Sequence, residues 1–331
     1  MSSVEKLTRF SMFLVAAIVR MPLSIFGFRA LWSPWFFLTL VLIAVLYFLL
    51  TVRWRDRIEG AVPATRKEII YFSTAMLLLY IVKGSPVDLL GHILFYVHMI
   101  QMAVLLFLIA PLFIMGIPNW MWQKVLDTKI IGGIFRVLTK PILSIIVFAL
   151  LFSMYHYPLV LDEIKLSLVY HSIFTITLFL SAIFYWWSLV NKMPNQKKVH
   201  SLMKIGLMIL STILITPACA LIIFNPDPMY LTYANGEAWL QAMALCVPAG
   251  MLSGLSGLAI SGPELFSNMP TIYDQQLGGI IMKIVQEIIY IVFLGKFFIT
   301  WYRNERDNAD EITEKALLER QRLTMYNQPN Q

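Results

Sequence analysis

The sequence predicts an all-α membrane protein, a polytopic bundle of seven transmembrane helices, and three observations carry that expectation. Hydrophobic residues make up 59% of the 331 positions and charged residues 14%, with a mean hydropathy of +0.72. That balance belongs to chains solvated by lipid rather than water. Long apolar runs recur along the chain, separated by shorter polar stretches. Lys and Arg gather in alternate connections and in the tail, the pattern of a topology signal. The net charge of +7 is therefore read as orientation, not as nucleic-acid binding. Cys219 and Cys246 form no CxxC, which excludes a Cys-built zinc or iron–sulfur site within one chain. Walker A, GxGxxG, GxSxG and HExxH patterns are absent, as are internal repeats. No reaction chemistry is evident, so an enzyme is not expected.

Taken in order, residues 1–34 carry Lys6, Arg9, Arg20 and Arg29 around a short apolar run and read as an interfacial segment or N-terminal extension. The membrane domain is 35–301. Span one is 35–52, followed by Arg53, Arg55 and Arg57. Span two, 69–82, is short and ends in the turn Lys83-Gly84-Ser85-Pro86, with Lys83 snorkelling to the interface. Span three, about 90–115, contains Pro111, which kinks its inner end. Residues 118–140 form a basic loop lying partly in the interface. Span four is 141–157 and a short acidic turn follows, with Asp162 and Glu163. Span five is about 164–190 and span six 205–224. The segment 225–276 holds acidic residues but no Lys or Arg. It reads as an outer loop with a re-entrant or interfacial helix, because Pro248, Pro263 and clustered Gly and Ser break the apolar run at 240–262. Span seven is 277–301, and 302–331 is a solvated polar tail. Basic residues concentrate after spans one, three and five and in the tail, so the N-terminus faces outside and the C-terminus the cytoplasm.

Span three carries the chemistry. On one continuous helix, taking His92 as zero, Met99 falls at about −20°, Met102 at about −80° and His98 at about −120°. Two imidazoles and two thioethers would then share about a third of the helix surface. Imidazole in a lipid-embedded helix usually has a task or a partner. Imidazole with thioether is a soft ligand set suited to copper, Cu(I) especially. The plain alternative is that Met fills gaps and His hydrogen-bonds a neighbouring helix. The topology puts His156 at the outer end of span four and His171 in the outer third of span five. Four of the five histidines thus share one leaflet, His171 about 10 Å and His98 about 12 Å below its surface. His200 lies in a basic cytoplasmic loop. Cys219 and Asp274 are also at the outer level; Asp274 reads as the N-cap of its own helix or as a cation ligand. Lys283 and Glu287, at i,i+4 inside span seven, read as an intramembrane ion pair.

These motifs together resemble a known family. His98-Met99 with Gln101 three residues after the His, then Ala110-Pro111-Leu112 and Gly116-Ile117-Pro118, is similar to its span-three motif. His156-Tyr157-Pro158 is similar to its span-four motif, with His171 in span five. Asp274-Gln275-Gln276-Leu277-Gly278-Gly279-Ile280-Ile281-Met282 is similar to its last-span motif. The chain is identified by these as a member of the CtaG family, the multi-span assembly factors for caa-type cytochrome c oxidase of Gram-positive bacteria. The resemblance covers about residues 21–303. An unrelated single-span copper chaperone shares that name and uses cysteines that are absent here. The resemblance implies a multi-pass bacterial cell-membrane protein that matures the oxidase at its copper centres on the outer side. Many family members have His directly after the Gln of the span-three motif, where this chain has Met102; if that position is a ligand the swap favours Cu(I), and if it is not the copper argument weakens.

The resulting expectation is a copper site of His92, His98, Met102, His156 and His171, with Met99, Cys219 and Asp274 in reserve. Expected partners are oxidase subunits, membrane lipid and a copper-delivering protein on the outer side. Three other readings stay open: a copper permease or scavenger, a haem-binding membrane protein, and a metal-free assembly scaffold. Permeation wants ligands continuing inward, where mainly Met115 and Met208 are available. Stacked haems want His in both leaflets, so haem is disfavoured.

Overall fold

The computed structural model describes residues 23–193, 199–247, 263 and 266–326. Among these residues the extended elements are all helices. The first apolar run, Leu23–Arg53, holds α1 (Gly27–Trp32) and α2 (Pro34–Phe48), hinged at Ser33 with φ 36° and ψ 64°. A residue before proline is driven out of the helical region, so α1 stops where Pro34 begins the next helix. Most of α2 faces outward, as lipid contact permits, and Tyr47 anchors it. The Tyr47 ring stacks 3.8 Å from Phe72 and its hydroxyl donates to the Gly116 carbonyl at 2.9 Å. Residues 1–22 of the expected N-terminal extension lie outside the described residues. The stretch from Leu23 through α1 packs on the site end of the bundle, with Phe26 stacked on Phe266.

Next come α3 (Arg66–Gly84), started by a Thr65/Glu68 capping box, and α4 (Pro86–Ile93). They bend by 48° at Ser85, whose hydroxyl accepts from the Val87 amide. After an extended Leu94 (φ −122°, ψ 128°), α5 runs over Phe95–Gly116. Span three therefore begins at Phe95, not at residue 90. His92 belongs to α4, at the end of the bent second span, so the shared face computed for one continuous helix does not exist. Leu94 has left the helical region, and the 100° progression is lost there. Within α5, Val104–Ile109 is a π-turn immediately before Pro111. Proline offers no N–H to the carbonyl four residues back, and widening the preceding turn absorbs that defect.

The expected loop at 118–140 is instead two helices, α6 (Asn119–Leu126) and α7 (Lys129–Leu138). α7 meets α8 (Pro141–Tyr155) at 84°. Its Ile130, Ile131 and Ile134 are exposed, as for a helix lying flat at an interface. The expected acidic turn is also a helix, α9 (Pro158–Lys165), and span five, α10 (Leu168–Val190), starts later than expected. Then follow α11 (Ser201–Phe224), α12 (Leu231–Ala234) and α13 (Gly236–Met243). Most of the doubtful run at 240–262 lies outside the described residues. Span seven, α14 (Thr271–Asp307), has 37 residues and extends beyond 277–301 at both ends. Within the polar tail, residues Ala309–Tyr326 form α15.

Among the described residues, five segments are long and apolar enough to cross a bilayer, and seven if the bent pairs α3–α4 and α7–α8 each count as one. The main core joins α5, α8, α10, α11 and α14 around Phe107, Phe148, Tyr185, Trp186 and Tyr290. α14 lies against α5 and α11 because Gly278 and Gly279 let it. A Cβ on Gly278 would sit 2.8 Å from Phe95 Cδ1, and one on Gly279 2.7 Å from Ile223 Cγ1.

Candidate functional site

The site is built around the break between α4 and α5. A helix end buried in a bundle leaves backbone groups that must find partners. On the α5 side, the two Asp274 carboxylate oxygens accept from the Phe95 and Tyr96 amides, both at 2.8 Å. Asp274 therefore caps α5 rather than its own helix, where it lies in the first turn after the cap residue Pro270. A carboxylate at a helix N-terminus meets both the free amides and the positive dipole end. Hydrogen bonds to a charged acceptor are worth about 1.5–3 kcal/mol each.

On the α4 side, the Gly91 carbonyl accepts from the Tyr233 hydroxyl at 2.7 Å and from Lys165 Nζ at 3.3 Å. Lys165 also donates to the Tyr233 hydroxyl oxygen and lies 4.1 Å from the Tyr233 ring centroid. The break thus has an anion on its amide side and a cation on its carbonyl side, each matched to the local helix dipole. Gln101 ties the junction to α3 by donating to the Val82 carbonyl at 2.5 Å and to Asp88 at 3.1 Å. A Cβ on Gly91 would fall 1.9 Å from Gln101 Oε1, so a larger residue there would push the Gln101 amide from its place. Lys83 does not simply snorkel: its Nζ bonds Asp88 at 2.7 Å.

The four histidines of the expected outer level come to this same end as two pairs. His98 is buried on α5, its ring 6.3 Å from that of His156, 5.9 Å from Tyr155 and 6.4 Å from Tyr233. His156 caps the end of α8, with Nδ1 2.8 Å from the Phe152 carbonyl. A carbonyl only accepts, so Nδ1 carries the hydrogen and Nε2 presents a lone pair. Neither His156 Nε2 nor His98 Nε2 has a hydrogen-bond partner, although both are buried. Tyr230 holds the loop by donating to the His156 carbonyl at 2.7 Å. The second pair joins α4 to α10: the His92 and His171 rings are 5.2 Å apart, and His92 Nδ1 is unpartnered.

Met99 and Met102 are buried on α5, and Met99 touches the Gly278 face of α14. Cys219 is buried in the main core on α11 as a free thiol. Among the described residues, no three His, Cys, Asp or Glu side chains gather into a group that could hold a metal. His92, His98, His156 and His171 thus stand as two pairs and not as one group of three or more. Farther along α14, Lys283 Nζ lies 2.6 Å from Glu287 Oε1 and 2.9 Å from Thr216 Oγ1. His200 is exposed at the start of α11.

Sequence reasoning missed Lys165, Tyr233 and the structural part played by Asp162. The Asp162 carboxylate accepts from the Leu231 and Thr232 amides at 2.9 and 3.0 Å and docks α12 over the site. A signal for Lys165 was present: it is the one Lys or Arg between Lys140 and Lys192. A cation isolated in a largely apolar stretch on the sparsely charged side is out of place unless it has an internal role.

A helical bundle with a broken helix and two histidine pairs at one end defines a class, a multi-pass membrane protein. Residues 45–304 match the model of a family described as cytochrome c oxidase caa3 assembly factor (Caa3_CtaG), and the chain belongs to that family. That is an assembly-factor family and not a catalytic enzyme class. Comparison with curated proteins and with solved structures gives no match.

Proposed function

We infer that this assembly factor receives copper on the outer side of the membrane and presents it to oxidase subunits. Copper here is cargo rather than a resident cofactor. The observation that supports the reading is the pair of buried, unpartnered ring nitrogens, His98 Nε2 and His156 Nε2, on rings 6.3 Å apart. A buried nitrogen without a partner costs about 1–3 kcal/mol, and a bound ion removes that cost. Two imidazoles sharing one ion, at roughly 2 Å per metal–nitrogen bond, put their ring centres about 5–6 Å apart. The donor set fits Cu(I): neutral imidazoles with the Met99 and Met102 thioethers close along α5. The nearby Asp88, Asp162 and Asp274 carboxylates are engaged with a lysine or with backbone amides. His92 and His171 form a second imidazole pair on the same end, suited to passing the ion on from a copper-delivering protein. The outer placement of this end follows from the basic residues of the alternate loops.

A second reading, a metal-free scaffold, has its own support in the absence of any three-residue His/Cys/Asp/Glu group among the described residues. Copper stoichiometry separates the two. Purified protein loaded with Cu(I) under reducing conditions is expected to hold near one copper, and a His98→Ala/His156→Ala double variant to lose it. A folded wild-type sample with no copper above background would leave the scaffold reading in place.

A further inference from the structure

We propose that Lys165 is the built-in counter-cation of this site, so that loading one Cu(I) displaces one proton from its ammonium group. The inference rests on the copper reading above and says how that site is charged and discharged. Lys165 is 2% exposed. Its bonded partners are two neutral oxygens, the Gly91 carbonyl and the Tyr233 hydroxyl. Among the described residues no carboxylate forms an ion pair with it. Such burial is costly for a cation, and a structural clamp alone does not require one.

Its position links it to both imidazole pairs. The Gly91 that it bonds precedes His92, and the Tyr233 ring that it covers is 6.4 Å from the His98 ring. Its charge is felt at His92, His98 and His171. Other charges around it are already committed: Lys83 is paired with Asp88, Asp162 caps α12 and Asp274 caps α5. The Cys246 thiol completes the titratable groups that act on it.

Two positive charges in one low-dielectric pocket repel, and an amine can relieve the repulsion by losing its proton. The exchange balances: Cu(I) enters, H⁺ leaves to the aqueous phase, and the charge of the site is unchanged. The neutral amine keeps two N–H groups, enough for the Gly91 carbonyl and the Tyr233 oxygen, so neither hydrogen bond is lost. Burial already pushes the Lys165 amine down to about 7, which makes the proton available near neutral pH. In reverse, reprotonation of Lys165 expels the ion, which suits a protein that must surrender its cargo.

The test counts protons released by the protein on titration with Cu(I) in weakly buffered detergent at pH 6, for wild type, Lys165→Leu and Lys165→Arg. Near one proton per copper is expected from wild type and near none from either variant. Lys165→Leu should bind Cu(I) more tightly than wild type at pH 6, and Lys165→Arg, whose charge cannot leave, more weakly than both. Wild-type affinity should rise about tenfold per pH unit below neutrality, and variant affinity should be flat. Equal proton release from all three proteins, with copper still bound, overturns this inference alone. A wild type that binds no Cu(I) overturns the copper reading and this inference with it.

Discussion

His156 shows how one side chain is prepared for work by its backbone. It closes α8, its Nδ1 is occupied by the Phe152 carbonyl, and its Nε2 is left buried without a partner. Lys165 is the other decisive residue, and its burial has a measurable consequence for stability. Its amine is lowered to about 7 in the folded chain, from an ordinary value of 10.5, chiefly by desolvation. Below pH 7 both folded and unfolded chains hold the proton. Between 7 and 10.5 the unfolded chain holds more, so stability rises with pH across that window. The contribution is up to about 1.4 kcal/mol per pH unit. Thermal unfolding in mild detergent should show wild type gaining on Lys165→Leu between pH 7 and 9. A difference that is flat or falls with pH would mean that the amine is not desolvated as described.

At the scale of elements, the site depends on breaks and close approaches. Leu94 interrupts what reads in sequence as one apolar run and turns His92 toward α10 while His98 turns toward α8. α14 then presses its glycine face on α5, which brings Asp274 within reach of the Phe95 and Tyr96 amides. Gly278→Leu should separate these helices, since the position lacks room for even a Cβ. Overpacking of that kind costs about 1–3 kcal/mol. The expected outcome is a lowered unfolding temperature together with weakened Cu(I) binding, because the cap on α5 and the position of His98 move with α14. Copper binding at full strength in a destabilised Gly278→Leu protein would separate the packing of α14 from the site.

For the whole molecule, orientation decides whether the site meets the outer medium. With Cys219 and Cys246 replaced, a cysteine introduced at Asp227 should react with a membrane-impermeant maleimide in intact cells. One introduced at His200 should react only after lysis. The opposite pattern would put the histidine pairs on the cytoplasmic side and end the outer-face reading.

Much of this molecule was legible in the chain itself. The apolar runs gave the membrane-spanning bundle, since a span of given thickness needs a given length of apolar residues whatever its neighbours do. The ordered motifs from His98 to Met282 gave the family that the match over 45–304 shows. The partnering of side chains was another matter. The break at Leu94, the capping of α5 by Asp274, the burial of Lys165 and the sorting of four histidines into two pairs depend on contacts between residues up to 179 positions apart. Hydropathy reports how each residue meets lipid or water, and it carries no information about which buried polar groups face one another. Only packing decides that, because a polar group shut away from water must find its partner in whatever helix lies beside it.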